Sequence, residues 1–136
     1  MRVLGALLFL AAVPLAAHAE PRLVLEVAHD GFDEYYCVTR GTLRNEGDAA
    51  IREVNGFFII YQGDEVVGRA RGASFLNLEP GGEADALFPA PNVPCDTADG
   101  FEFVVSACMM GNSFMDREDC AGLLRGEGAV KAVSAR

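Results

Sequence analysis

The chain has 136 residues and a formal net charge of −9. That length holds one domain with a modest core, since a domain of this size buries roughly two-thirds of its unfolded surface, so multidomain and polytopic membrane architectures are excluded. No basic cluster interrupts the acidity, so phosphate backbones and anionic lipid are repelled and nucleic acid is excluded as a partner.

Met1-Arg2 supplies a short positive start, followed by the apolar run Val3 to Val13 and the small residues Ala17 and Ala19. This is the pattern of a signal peptide, so residues 1–19 are expected to be cleaved before Glu20 and the chain exported to the periplasm or the medium. The apolar run, about 11 residues at roughly 1.5 Å each, falls short of a hydrocarbon core of about 30 Å, and stable membrane insertion is not expected. The leader takes one arginine and no acid with it, leaving a mature charge of −10.

Short runs rich in Val, Phe, Tyr and Thr between glycine-bearing turns predict strands over the rest. Leu23 to Val27 is the first, turning at Asp30-Gly31. Tyr36 to Asn45 is the second, with Cys37, Thr39, Gly41 and Leu43 on one face and Tyr36, Val38, Arg40, Thr42 and Arg44 on the other. Asn45 to Asp48 has the residues of a reverse turn. Val54 to Tyr61 is the third and most apolar strand, and Gln62-Gly63-Asp64 turns into Glu65 to Arg71. Phe75 to Leu78 leads to the turn Pro80-Gly81-Gly82, then Glu83 to Phe88. The three prolines between Pro89 and Cys95 argue against a regular ladder there. Phe101 to Met109 follows, then a short helix over Arg117 to Leu124, and the segment 126–136 holds little to anchor it and is expected to fray. The domain is thus expected to span residues 20–125 as a small, all-β antiparallel sandwich with an irregular C-terminal tail.

Phe58-Ile59-Ile60-Tyr61-Gln62 resembles the F-x-L-Y-D signature of the bacterial FxLYD immunoglobulin-like domains, departing from it at Ile60 and Gln62. Gly41 to Gly47 is similar to that family's G-x-V-x-N-x-G segment, and Leu78 to Gly82 to its L-x-P-G turn. The likeness covers about residues 36–88 and implies an immunoglobulin-like sandwich acting as an exported accessory or interaction module, with no catalytic residues to carry over.

Cys37, Cys95, Cys108 and Cys120 all follow the leader, and an even count in a small exported chain favours two disulfides. Zinc would demand closely spaced pairs, whereas the shortest gaps are 12 and 13 positions. With successive strands antiparallel, Cys37 and Cys95 lie at one end of the domain and Cys108 and Cys120 at the other, so Cys37–Cys95 and Cys108–Cys120 are the expected bridges. In chain-entropy terms the first, closing about 58 residues, stabilises by roughly 4 kcal/mol and the second, closing about 12, by somewhat under 3 kcal/mol.

Past the leader His29 is the only histidine, which excludes multi-histidine metal cages. A serine hydrolase, a nucleotide-binding loop and a thioredoxin-type redox pair each lack their motif. The acid pairs Asp33/Glu34 and Asp64/Glu65 and the trio Asp116/Glu118/Asp119 fall in turns or charged loops, where carboxylates are ordinarily solvated. Asp96 to Gly100 does not carry the alternating oxygen ligands of a calcium loop. No enzyme activity, metal or cofactor is therefore expected.

Three methionines, Met109, Met110 and Met115, fall with Phe114 between Cys108 and Cys120. Thioethers suit copper(I), but the spacing lacks a repeated methionine array, so packing or contact with another protein is the expected role. The surfaces expected to bind a partner, another envelope or secreted protein, are Tyr35, Tyr36 and the loop bearing Met109, Met110, Phe114 and Met115. A periplasmic copper-binding protein using the three methionines is the alternative.

Overall fold

The computed structural model describes residues 22–33, 36–93 and 96–136, with 29–33 and 36 as backbone alone. In chain order these form β1 (Leu23–Asp33), β2 (Tyr36–Asn45), β3 (Ile51–Gln62), β4 (Glu65–Arg69), β5 (Ala73–Leu78), β6 (Glu83–Pro91), β7 (Gly100–Met110), β8 (Ser113–Met115), α1 (Arg117–Leu123), β9 (Leu124–Gly126) and β10 (Val130–Ala135). One sheet has the order β6-β2-β1-β9. The other has β10-β7-β3-β4, with β5 alongside the first half of β3 and β8 alongside the end of β7. The expected all-β sandwich is what the described residues form.

Alternation in sequence becomes alternation in burial. Along β2, Cys37, Thr39, Gly41, Leu43 and Asn45 are buried while the residues between them are half-exposed. Four fully buried phenylalanines, Phe58 of β3, Phe75 of β5, Phe88 of β6 and Phe103 of β7, join the two sheets. Phe58 meets Phe88 edge-on at 4.6 Å between ring centroids, and Phe88 meets Phe103 the same way at 6.1 Å. Gly41 lies under this cluster: a Cβ there would stand 2.9 Å from Phe75 Cζ and 3.0 Å from Phe88 Cε2.

Asn45 ends β2 and is 1% exposed. Its side-chain amide donates to the carbonyls of Ala49 (2.8 Å) and Leu78 (3.0 Å), and its Oδ1 accepts from Gly47 N–H at 3.0 Å. Its backbone N–H donates to Gly82 O (2.9 Å), and its carbonyl accepts from Gly81 N–H (2.8 Å). The Gly41–Gly47 and Leu78–Gly82 segments are therefore fastened through one buried amide.

Four expectations are corrected. First, Asp30-Gly31 does not turn the chain: β1 runs on to Asp33, and the irregularity there is a bulge, with His29 opposite Thr39 and Gly31 opposite Val38. Second, β6 passes through Pro89 and Pro91. It is an edge strand, and Pro89 faces its open side, where its carbonyl accepts from Arg71 N–H at 2.8 Å, so the missing N–H costs no ladder bond. Third, residues 126–136 are not an irregular tail: Val130–Ala135 is β10, paired in parallel with β7 from Phe101 to Val105. Fourth, the pairing is not wholly antiparallel, because β9 also runs parallel to β1. Helix α1 lies within the connection from β7 to β10, which as a parallel pair need a crossover.

Glu102 of β7 helps to hold β10 in place. Its carboxylate accepts from the Ser134 hydroxyl (2.7 Å) and the Tyr61 hydroxyl (2.9 Å) and lies 3.5 Å from the Arg136 guanidinium. The Ser134 bond, with those to Tyr61 and Arg136, keeps its carboxyl below the usual carboxylate range against the opposing effect of burial. Donation to Glu102 in turn raises the Tyr61 phenol.

Candidate functional site

Of the expected contact residues, those between Cys108 and Cys120 come together. Gly111, with φ of 56°, and Asn112 turn β7 into β8. This sets Cys108 opposite Met115, Met109 opposite Phe114 and Met110 opposite Ser113. Cys108 and Cys120 form a disulfide with a Cα–Cα distance of 6.2 Å, joining the buried root of the hairpin to α1. Asp116 caps that helix, accepting from the backbone N–H of Glu118 (2.8 Å) and Asp119 (3.2 Å). Arg52 of β3 grips the turn by donating to Asn112 Oδ1 at 2.9 Å and Gly111 O at 3.4 Å. A hairpin of this length is marginal alone, and these ties fix it to the domain.

The three methionines divide. Met110 and Met115 pack against the core, whereas Met109, one position along β7 from Met110, belongs to the outer face with Phe114. Met109 thus lies on the opposite face of the sheet from Met110 and Met115. Phe114 is 73% exposed. Tyr36 lies in the other sheet, its backbone opposite Pro91, so it is not part of the hairpin surface. Tyr35 and Cys95 lie outside the described residues, as does the leader 1–19. Cys37 is buried, and its register partner on β6 is Ala90, at the end of that strand nearest Cys95 in sequence.

Register adds residues that the sequence reading missed. Met109 sits opposite Glu53, and Glu53 opposite Leu76, so Phe114, Met109, Glu53 and Leu76 make one row across β8, β7, β3 and β5. Leu76 is 52% exposed. Asn77 explains its outward position: with φ of 55° it lets Phe75 and Leu78 both reach the core while Leu76 stays out. The positive φ has a weak sequence cue in the asparagine, but the cross-strand row has none.

Four depressions among the described residues measure about 190–270 Å³, below the roughly 300 Å³ at which small-molecule pockets begin. Of these acids whose side chains are described, Asp116 is the helix cap, Glu118 and Asp119 lie in the first turn of α1, and Asp64 and Glu65 lie at the β3–β4 turn. Among the described residues no three His, Cys, Asp or Glu side chains stand close enough to hold a metal ion. No helix among them is long and apolar enough to cross a membrane. No family model, curated protein or solved structure matches this chain.

Proposed function

We propose that this chain is an exported, non-catalytic accessory or interaction module of the bacterial cell envelope, immunoglobulin-like in its organisation and stapled by two disulfides. The observation that carries the reading is Phe114, a large apolar side chain left 73% exposed on a hairpin that a disulfide and Arg52 hold rigid. Burying such a ring contributes about 1.5–3 kcal/mol, and a fixed hairpin loses little freedom on binding.

Supporting observations lie on the sequence as well. The segment 1–19 has the form of a leader, and the Cys108–Cys120 bridge suits an oxidising compartment. Cys37–Cys95 is the second bridge in this reading, favoured by the placing of Cys37 beside the end of β6. The segments that carry the FxLYD likeness, Gly41–Gly47 and Leu78–Gly82, meet through Asn45, as parts of one structural signature would. The occupant is another envelope or secreted protein.

The test is a photo-crosslinking residue placed at position 114, with position 66 as control because Val66 is also exposed, at 56%. In intact cells a discrete adduct at 114 and none at 66 is expected. Equal labelling at both positions, or none at 114, overturns the reading.

A further inference from the structure

We infer that the outer row of Phe114, Met109, Glu53 and Leu76 receives a protein segment carrying a lysine or arginine set between apolar side chains. The inference rests on the interaction reading above and assigns the chemistry of its partner. Three of the four residues offer apolar surface, and the register brings them into one line across four strands. At roughly 4.8 Å between strands the row spans about 14 Å, the length of four or five residues of extended chain.

Glu53 stands inside this row, half-buried between Met109 and Leu76. Among the described residues its carboxylate has neither a hydrogen bond nor an ion pair. The neighbouring Arg52 is engaged by the hairpin turn. An unpaired carboxylate with apolar flanks is complementary to a cation with apolar flanks, and such complementarity selects partners by penalising an acid at the same place.

Beside the row, the next residues outward along the same face are Ala107, Asn55 and Ser74. A bulge leaves Ser106 without a partner on β3, and a depression of about 230 Å³ opens there, lined by Asn55, Gly56, Gly72, Ala73, Ser74 and Ser106. Small side chains leave this hollow open, so it has room for one side chain of a segment lying across the row.

The test titrates the ¹⁵N-labelled, oxidised protein with three ten-residue peptides, alternating leucine with lysine, leucine with glutamate, and serine with lysine. The leucine–lysine peptide is expected to shift the amide resonances of Glu53, Leu76, Met109 and Phe114, and Glu53→Gln to weaken it at least tenfold. The other two peptides are expected to leave those resonances in place. Equal binding of the leucine–glutamate peptide overturns the inference. So do shifts spread over the acidic surface and unchanged by Glu53→Gln. A crosslink at position 114 with no preference for lysine overturns it too, while leaving the interaction reading standing.

Discussion

The side-chain amide of Asn45 donates to the main-chain oxygen of Leu78 at 3.0 Å, across 33 positions of sequence and out of reach of solvent. The same amide also holds the Ala49 carbonyl. Removing it strands the buried Leu78 carbonyl, at a cost of about 1–3 kcal/mol, and breaks the bond to the part-buried Ala49 carbonyl as well. Asn45→Ala is expected to lower the unfolding free energy by about 3 kcal/mol in chemical denaturation. A loss below about 1 kcal/mol would contradict the fastening role.

Gly41 has no room for a methyl group beneath Phe75 and Phe88. Gly41→Ala is expected to cost about 1–3 kcal/mol through displaced rings. Because the clash is with a ring, adding Phe75→Leu to Gly41→Ala should destabilise by less than the two single changes together. Strict additivity in the thermal melts would locate the strain elsewhere.

Thr39 presents the opposite case. Its hydroxyl is fully buried and has no hydrogen-bond partner among the described residues. Valine has nearly the same shape without the unsatisfied group, so Thr39→Val is expected to stabilise by about 1 kcal/mol. A lowered melting temperature would mean that the hydroxyl has work that the structure does not account for.

The Glu102 network gives a pH dependence. The folded carboxyl titrates below its ordinary 4.5, so its contribution is complete above that value and is lost as pH falls through the folded pKa. Tyr61 is raised above 10.0, so its contribution is complete below that value and is lost as pH rises through its own folded pKa. Ser134→Ala should flatten the acid limb of the stability profile, and Tyr61→Phe should flatten both limbs. Parallel profiles for the variants and the parent would separate β10 from Glu102.

Where one strand's own pattern decides its fate, the fold was legible in sequence. Cys37 to Asn45 alternates cleanly, and β2 has the bounds and the faces read from it. The turn residues of Asn45 to Asp48 and of Pro80-Gly81-Gly82 likewise marked the two turns, though not the amide that joins them. What escaped depends on neighbours. Val130 to Ala135 is half alanine and serine, and its strand state comes from pairing with β7 and from the Ser134–Glu102 bond. Pro89 is compatible with a strand only because β6 is an edge, which no local signal announces. In the candidate site Phe114 and Met109 were readable as residue types, whereas Glu53 and Leu76 join them only through register.

The claim that matters most is that Phe114 serves contact and not folding, and replacing it with serine while measuring stability and binding together tests this directly. The unfolding free energy of Phe114→Ser is expected to lie within about 0.5 kcal/mol of the parent. Its affinity for the protein crosslinked at position 114 is expected to be weaker by at least about tenfold, or about 1.4 kcal/mol. A Phe114→Ser protein that unfolds early, or that is stable and binds as tightly as the parent, would contradict it.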